Sequence, residues 1–325
     1  MACEGVRRAS YVVMPVRGSV SYDEFRQRVR RYRRSDVLRA VAALAVQMDA
    51  AERGSGQPPR LPEYVRQFSL AGVARTCLIA GNDHRNDPFS INELAALCGM
   101  YLNIHDPALD QESSTTRLRQ LMSRIAYEQF GFQYSLSEEL GRPLPLLLDH
   151  VAYCPGAPSE ADWERALRVP LAHFMRVGFA LHVAIMSNGG SIARSLLQAP
   201  HVAPVFEPLS TEEALDVADR LFIRTPEEHA AWGRDREEPR HEKWSPNPLR
   251  AAPLVLLGAD VVGPIPRFIV DRITLSGLYF IGLEAFGPAL YRRSGMHVSA
   301  VRRNALATAT GSQGRRRGGL RLAAT

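Results

Sequence analysis

Apolar residues recur along most of this chain at spacings of three and four, the period of a helix rather than the alternation of a strand. The longest such stretch is 158–187. Ser159 and Asp162 are spaced to cap a helix start, and Glu160 and Asp162 fall where the helix dipole favours acids. Beyond them Leu167, Val169, Leu171, Phe174, Met175, Val177, Phe179, Leu181, Val183, Ile185 and Met186 point in every direction. That pattern predicts the central helix of an all-helical core. His173, Arg176 and His182 interrupt the run and Pro170 falls near its start, which argues against a membrane span.

The same period places other helices. Ser21 and Glu24 form a capping box ahead of Phe25, Val29 and Tyr32, and a helix from Ser35 carries Val37, Leu38, Val41, Leu44, Ala45 and Met48 as its buried stripe. After a Gly/Pro linker at 54–59, a helix over 62–80 presents Tyr64, Val65, Phe68, Val73, Cys77 and Leu78. A polar loop, 81–88, precedes a second capping box, Ser90 with Glu93, and a helix through Tyr101. Further helices are expected over 115–130, 135–140, 146–152, 191–198 and 212–222, and another starts at Thr225-Pro226-Glu227-Glu228. Residues 233–243 read as charged and exposed. Strand patterning is confined to 10–13, 254–257 and 261–262, and a helix over 268–286 follows the last pair. The expected fold is mainly α: a multi-helix bundle over 61–232, a small β-hairpin-plus-helix module at 245–291, a basic segment at 1–60 and a disordered basic tail at 292–325.

Charge divides the chain more sharply than composition does. Residues 1–60 hold 12 arginines against 6 acids, 292–325 hold 8 arginines and no acid, and the body between them carries a net −8. The overall +6 therefore comes from the ends, and Lys243 is the only lysine. Apolar content of 46% and charged content of 23% are those of a water-soluble globular chain, for which the cytoplasm is the expected location. The four cysteines are scattered without a C-x-x-C pair, so neither a metal site nor a disulfide framework is expected. From Arg292 onward periodicity fails, and Arg315, Arg316 and Arg317 lie among Gly, Ser and Gln. Such an abrupt change is expected of a frameshift or truncation in a GC-rich gene, the alternative being a genuine basic tail.

Chemistry is sparse. The chain has no phosphate loop, G-x-G-x-x-G, H-E-x-x-H or G-x-S-x-G, and no metal or cofactor site is expected. Two segments remain as candidates. Arg26, Arg30, Arg31, Arg33 and Arg34 crowd one segment and, with Arg315, Arg316 and Arg317, suit a phosphate backbone, although a solvated helix face is the plainer explanation of the first group. Asp83, His84, Arg85 and Asp87 gather acid and base in one loop, which reads as a plain helix connection or as a binding or hydrolytic loop.

Residues 244–250 (Trp-Ser-Pro-Asn-Pro-Leu-Arg), the two short strands, 266–274, 277–280 and Phe286-Gly287 supply one further clue. With the helical part before them, about 60–290, they resemble the amino-terminal region of large uncharacterised actinobacterial proteins. In that family the region precedes a restriction-endonuclease-like domain of the PD-(D/E)xK type. Such a domain needs an acid and a Glu-x-Lys on neighbouring strand positions to hold a metal and activate water. Here Lys243 directly follows Glu242, no Glu-x-Lys occurs, and the nuclease part is not present. Three functions are therefore carried forward. The first is a non-catalytic helical recognition or regulatory region related to a defence-type nuclease. The second is a nucleic-acid-binding protein using the arginine segments, and the third a hydrolase around His84. The partner is expected to be nucleic acid or protein, and not a membrane.

Overall fold

A computed structural model of the chain describes residues 18–55, 59, 61–85, 87–106, 114–130, 132, 158–200, 202–238, 241–274, 277–278, 281–282 and 284–287. The fold is mainly helical with a small four-stranded sheet. Its described residues fall into two compact units, those within 1–136 and 176–272 and those within 137–175 and 273–325. The strand expected at 10–13, the helices at 135–140 and 146–152, and the tail with Arg315, Arg316 and Arg317 lie outside the described residues.

The first unit begins with α1 (Tyr22–Val29), α2 (Arg34–Glu52), α3 (Gln67–Ala80) and α4 (Ile91–Leu102). Ser21 and Glu24 exchange both bonds of the expected capping box. Ser90 accepts from the Glu93 amide, but the Glu93 carboxylate does not return to it and turns to Arg28 and Tyr32 instead. The stripe expected on α2 is buried from Val37 to Ala45. The hub, however, is α3, in which eleven of fourteen residues are buried and which packs against α1, α2, α4 and a later helix at Pro226–Asp235. Gly72 permits the closest of these approaches: a Cβ there would stand 2.2 Å from the Tyr101 ring of α4.

The stretch 158–187 differs from its expectation. After α5 (Thr115–Phe130), it forms α6 (Glu160–Leu167) and α7 (Leu171–Ser187), bent by 51° across residues 168–170. Pro170 lacks the N–H a continuous helix needs, and Arg168 ends α6 in the left-handed region at φ 56°. Phe179 and Val183 are 48% and 46% exposed, so α7 is not enclosed on all sides. Among the described residues no single helix is long and apolar enough to cross a membrane.

Gly190, at φ 99° with the Ala42 backbone 2.8 Å from where a Cβ would sit, turns the chain from α7 into a strand. The helix expected over 191–198 is β1 (Ser191–Ala193) followed by a 3-10 turn, because Ile192 pairs with Val261 at the sheet edge. Then come α8 (Ala203–Phe206), α9 (Thr211–Leu221), β2 (Ile223–Arg224), α10 (Pro226–Asp235), α11 (Pro248–Ala251), β3 (Leu254–Leu257), β4 (Asp260–Val262) and α12 (Arg267–Ile273). Strand order is β1-β4-β3-β2, with β2–β3 parallel and the β3–β4 hairpin as expected. Leu249, Val255, Leu257, Val262, Ile265 and Phe268 join the same hydrophobic cluster as Phe25, Leu38, Leu70 and Leu97. The segment expected to be exposed at 233–243 is partly enclosed, with Gly233 and His241 buried.

In the second unit Ser159 and Asp162 complete a capping box for α6, and Trp163 meets Phe286 edge-on at 5.4 Å between ring centres.

Candidate nucleic-acid interface

The arginine segment and the polar loop, distant in sequence, lie side by side. Tyr32 pairs with Asp87 and Arg33 with Asn82 in parallel bridges, and the Arg34 amide donates to the Asn82 carbonyl at 3.0 Å. Tyr32 anchors this seam from beneath: it is buried, its ring lies 4.9 Å from that of Phe89, and its hydroxyl donates to Glu93. Burial, then the Glu93 carboxylate, pushes the phenol up to about 12.

The structure divides the candidate residues by what they already hold. Arg26 pairs with Asp23, Arg28 with Glu93 at 2.9 Å, and Arg34 with Asp83 at 3.2 Å and Glu227 at 2.7 Å. Arg30, Arg31, Arg33 and Arg85 are exposed and pair with no carboxylate among the described residues. Asp23, Glu24, Asp36 and Asp87 are exposed acids in or beside the same two segments. Asp83 is a cap borrowed from a distance: α2 starts at Arg33 without a capping side chain of its own, and Asp83 accepts the Ser35 amide at 2.9 Å. Burial raises its pKa, but the Ser35 amide and the Arg34 guanidinium outweigh that and hold the carboxyl below its usual range. His84 is exposed, its backbone amide donates to the Asn82 side chain at 3.1 Å, and its ring makes no hydrogen bond among the described residues.

Lys243 sits at the opposite end of α1. Its ammonium donates to the Leu102 and Ile104 carbonyls at 3.3 and 3.2 Å, closing the end of α4, and lies over the Tyr101 and Trp244 rings. Burial lowers it to about 8, with Asp106 acting the other way. Asp106 bonds His241 at 2.9 Å. Among the described residues no three His, Cys, Asp or Glu side chains are grouped to hold a metal ion.

The sequence reading missed Asp49, His229 and Arg75 as buried polar groups, whereas the burial of His182 agrees with its place in the apolar run. Asp49 is 4% exposed and accepts from Gln67 at 2.8 Å; burial and then Glu52 raise its carboxyl to about 7, against Arg267 and Arg53. His182 reaches the Pro266 carbonyl at 3.3 Å and His229 that of Leu254 at 3.2 Å, and burial lowers both to about 4. Arg75 is 2% exposed at the middle of α3. A signal existed for the first and last: Asp49 continues the spacing of Leu38, Ala42 and Ala45, and Arg75 is the one charge in α3.

No family model, curated protein or solved structure matches the chain. What the joined edge can do is hold a polyanion. Four guanidiniums that pair with no carboxylate among the described residues suit phosphate oxygens, while Tyr32 is packed beneath the seam and not offered for base stacking.

Proposed function

We propose that this chain is a non-catalytic recognition region that binds nucleic acid by its phosphate backbone through Arg30, Arg31, Arg33 and Arg85. The observation that carries this reading is the pair of bridges at Tyr32–Asp87 and Arg33–Asn82, which joins two arginine-bearing segments into one exposed edge. The resemblance to regions that precede a defence-type nuclease supports the same role, since such a region would hold the nucleic acid that its neighbour cuts. A cytoplasmic setting is part of the proposal. The hydrolase reading is less favoured, because Asp83 is committed to the start of α2 and not to His84.

Binding of a fluorescent duplex, followed by anisotropy across a salt series, tests it. Four phosphate contacts give a slope of about −3.6 in log K against log salt, at roughly 0.9 per contact. A chain that shows no retention at low salt, or whose binding ignores salt, rules the proposal out.

A further inference from the structure

Arg75 is an enclosed cation of the first unit, 2% exposed, with two of its guanidinium nitrogens open among the described residues. Its Nη1 donates to the Lys243 carbonyl at a long 3.4 Å, while Nε and Nη2 have no acceptor among the described residues. Those two nitrogens form one edge of the guanidinium, the edge that grips an oxyanion with two parallel N–H bonds. Beside it lies the Tyr22 ring, 5.8 Å from the guanidinium carbon. A guanidinium taken out of water without an acceptor for its donors is strongly disfavoured, so this edge is disposed to take an acceptor.

Glu242 is the carboxylate within electrostatic reach, and it does not fill the place. It makes no hydrogen bond among the described residues, and burial followed by the charges of Glu237 and Asp23 raises its pKa. The charges of Arg26, itself paired with Asp23, and of Arg75 act the other way. Lys243 is spent on the end of α4. The half-buried turn at Glu242–Trp244 is the cover over Arg75.

We infer that Arg75 is a binding site for a phosphate-type oxyanion, held on its Nε–Nη2 edge. The ligand is a free phosphate or sulfate ion or the terminal phosphate of a monoester. This site does not depend on the exposed edge and stands or falls apart from it.

Thermal melting and titration calorimetry of the full chain at fixed ionic strength read the site, with inorganic phosphate, sulfate, chloride, adenosine 5′-monophosphate and adenosine as probes. Phosphate and sulfate are expected to give a saturable rise in melting temperature that chloride does not. A response to the monophosphate but not to adenosine assigns the site to a phosphate ester, and a response to the inorganic ions alone assigns it to the free ion. Arg75→Met removes the response, and Glu242→Gln tightens phosphate binding several-fold by deleting the competing charge. The quadruple variant of Arg30, Arg31, Arg33 and Arg85 retains it. Equal effects of phosphate and chloride overturn the proposal. So does a Glu242→Gln protein that melts earlier and gains no affinity, since Glu242 is then the true partner; that variant decides the matter even if Arg75→Met fails to fold.

Discussion

The exposed edge and the interior of the first unit use the same side chains under opposite conditions. Arg30, Arg31, Arg33 and Arg85 keep their water, so each charge costs the fold little and remains available to a partner. Arg75, Asp49, His182 and His229 have lost theirs, and every one of them shows it as an open donor or a displaced pKa. Charge on this molecule is therefore open to a partner where it is wet and coupled to stability where it is dry, with Arg75 proposed to serve both. Substitutions in the two regions should separate along that line.

The largest expected effect is in the interior, as pH dependence. His182 and His229 sit near 4 in the folded chain against an ordinary 6.5, so the unfolded chain takes up their protons first. Their contribution is complete above about pH 6.5 and is lost as pH falls towards 4. Each tenfold weakening of proton affinity is worth roughly 1.4 kcal/mol, so the loss comes to about 3 kcal/mol for each histidine. Asp49 runs the other way. Its folded value of about 7 lies above an ordinary 3.8, so its contribution is complete below about pH 4 and is lost as pH rises to 7. Replacing Asp49 by Asn should raise the unfolding free energy at pH 8 by roughly 2–4 kcal/mol, leave it unchanged near pH 4, and steepen the acid limb that the histidines produce. Urea unfolding across this range measures it; an Asp49→Asn chain no more stable at pH 8 than its parent contradicts the burial of that charge.

At the edge the prediction concerns affinity. Converting Arg30, Arg31, Arg33 and Arg85 to Glu should weaken duplex binding by at least about 100-fold at low salt, while shifting the melting temperature by no more than about 2 °C. Loss of stability comparable to the loss of binding would mean that the edge is part of the fold.

How far the sequence carries can be seen in two apolar helices. The run at 171–187 looks like the centre because nearly every residue in it is apolar, yet Phe179 and Val183 are about half exposed. The helix at Gln67–Ala80 holds Gln, Ser, Arg and Thr among its buried residues and is the actual hub, because Gly72 and small neighbours let four helices approach it. Periodicity reports which residues tolerate burial; it does not report how closely partners can come. The β3–β4 hairpin is legible from its turn residues, whereas β1 and β2 are not, since strands of two or three residues exist only through the ladder they join. Both segments of the candidate interface are visible as compositions. Their adjacency is not, because two single bridges between 32–33 and 82–87 leave no pattern in either segment.

The smallest effects fall on that seam and separate two neighbours that the sequence groups together. Asp83 accepts the Ser35 amide and the Arg34 guanidinium, so Asp83→Ala leaves the first turn of α2 without its acceptor and should cost about 1–2 kcal/mol. His84 is exposed one residue further on, and its ring holds nothing among the described residues. His84→Ala should therefore change stability by less than about 0.5 kcal/mol and duplex affinity by less than about threefold. The pair is informative because both substitutions delete one polar side chain from one loop, so the ratio of their effects isolates the part played by the cap. If His84→Ala instead proves the costlier of the two, or abolishes a turnover that the parent shows, the loop is organised around its histidine and the edge is a hydrolytic site, not a binding one.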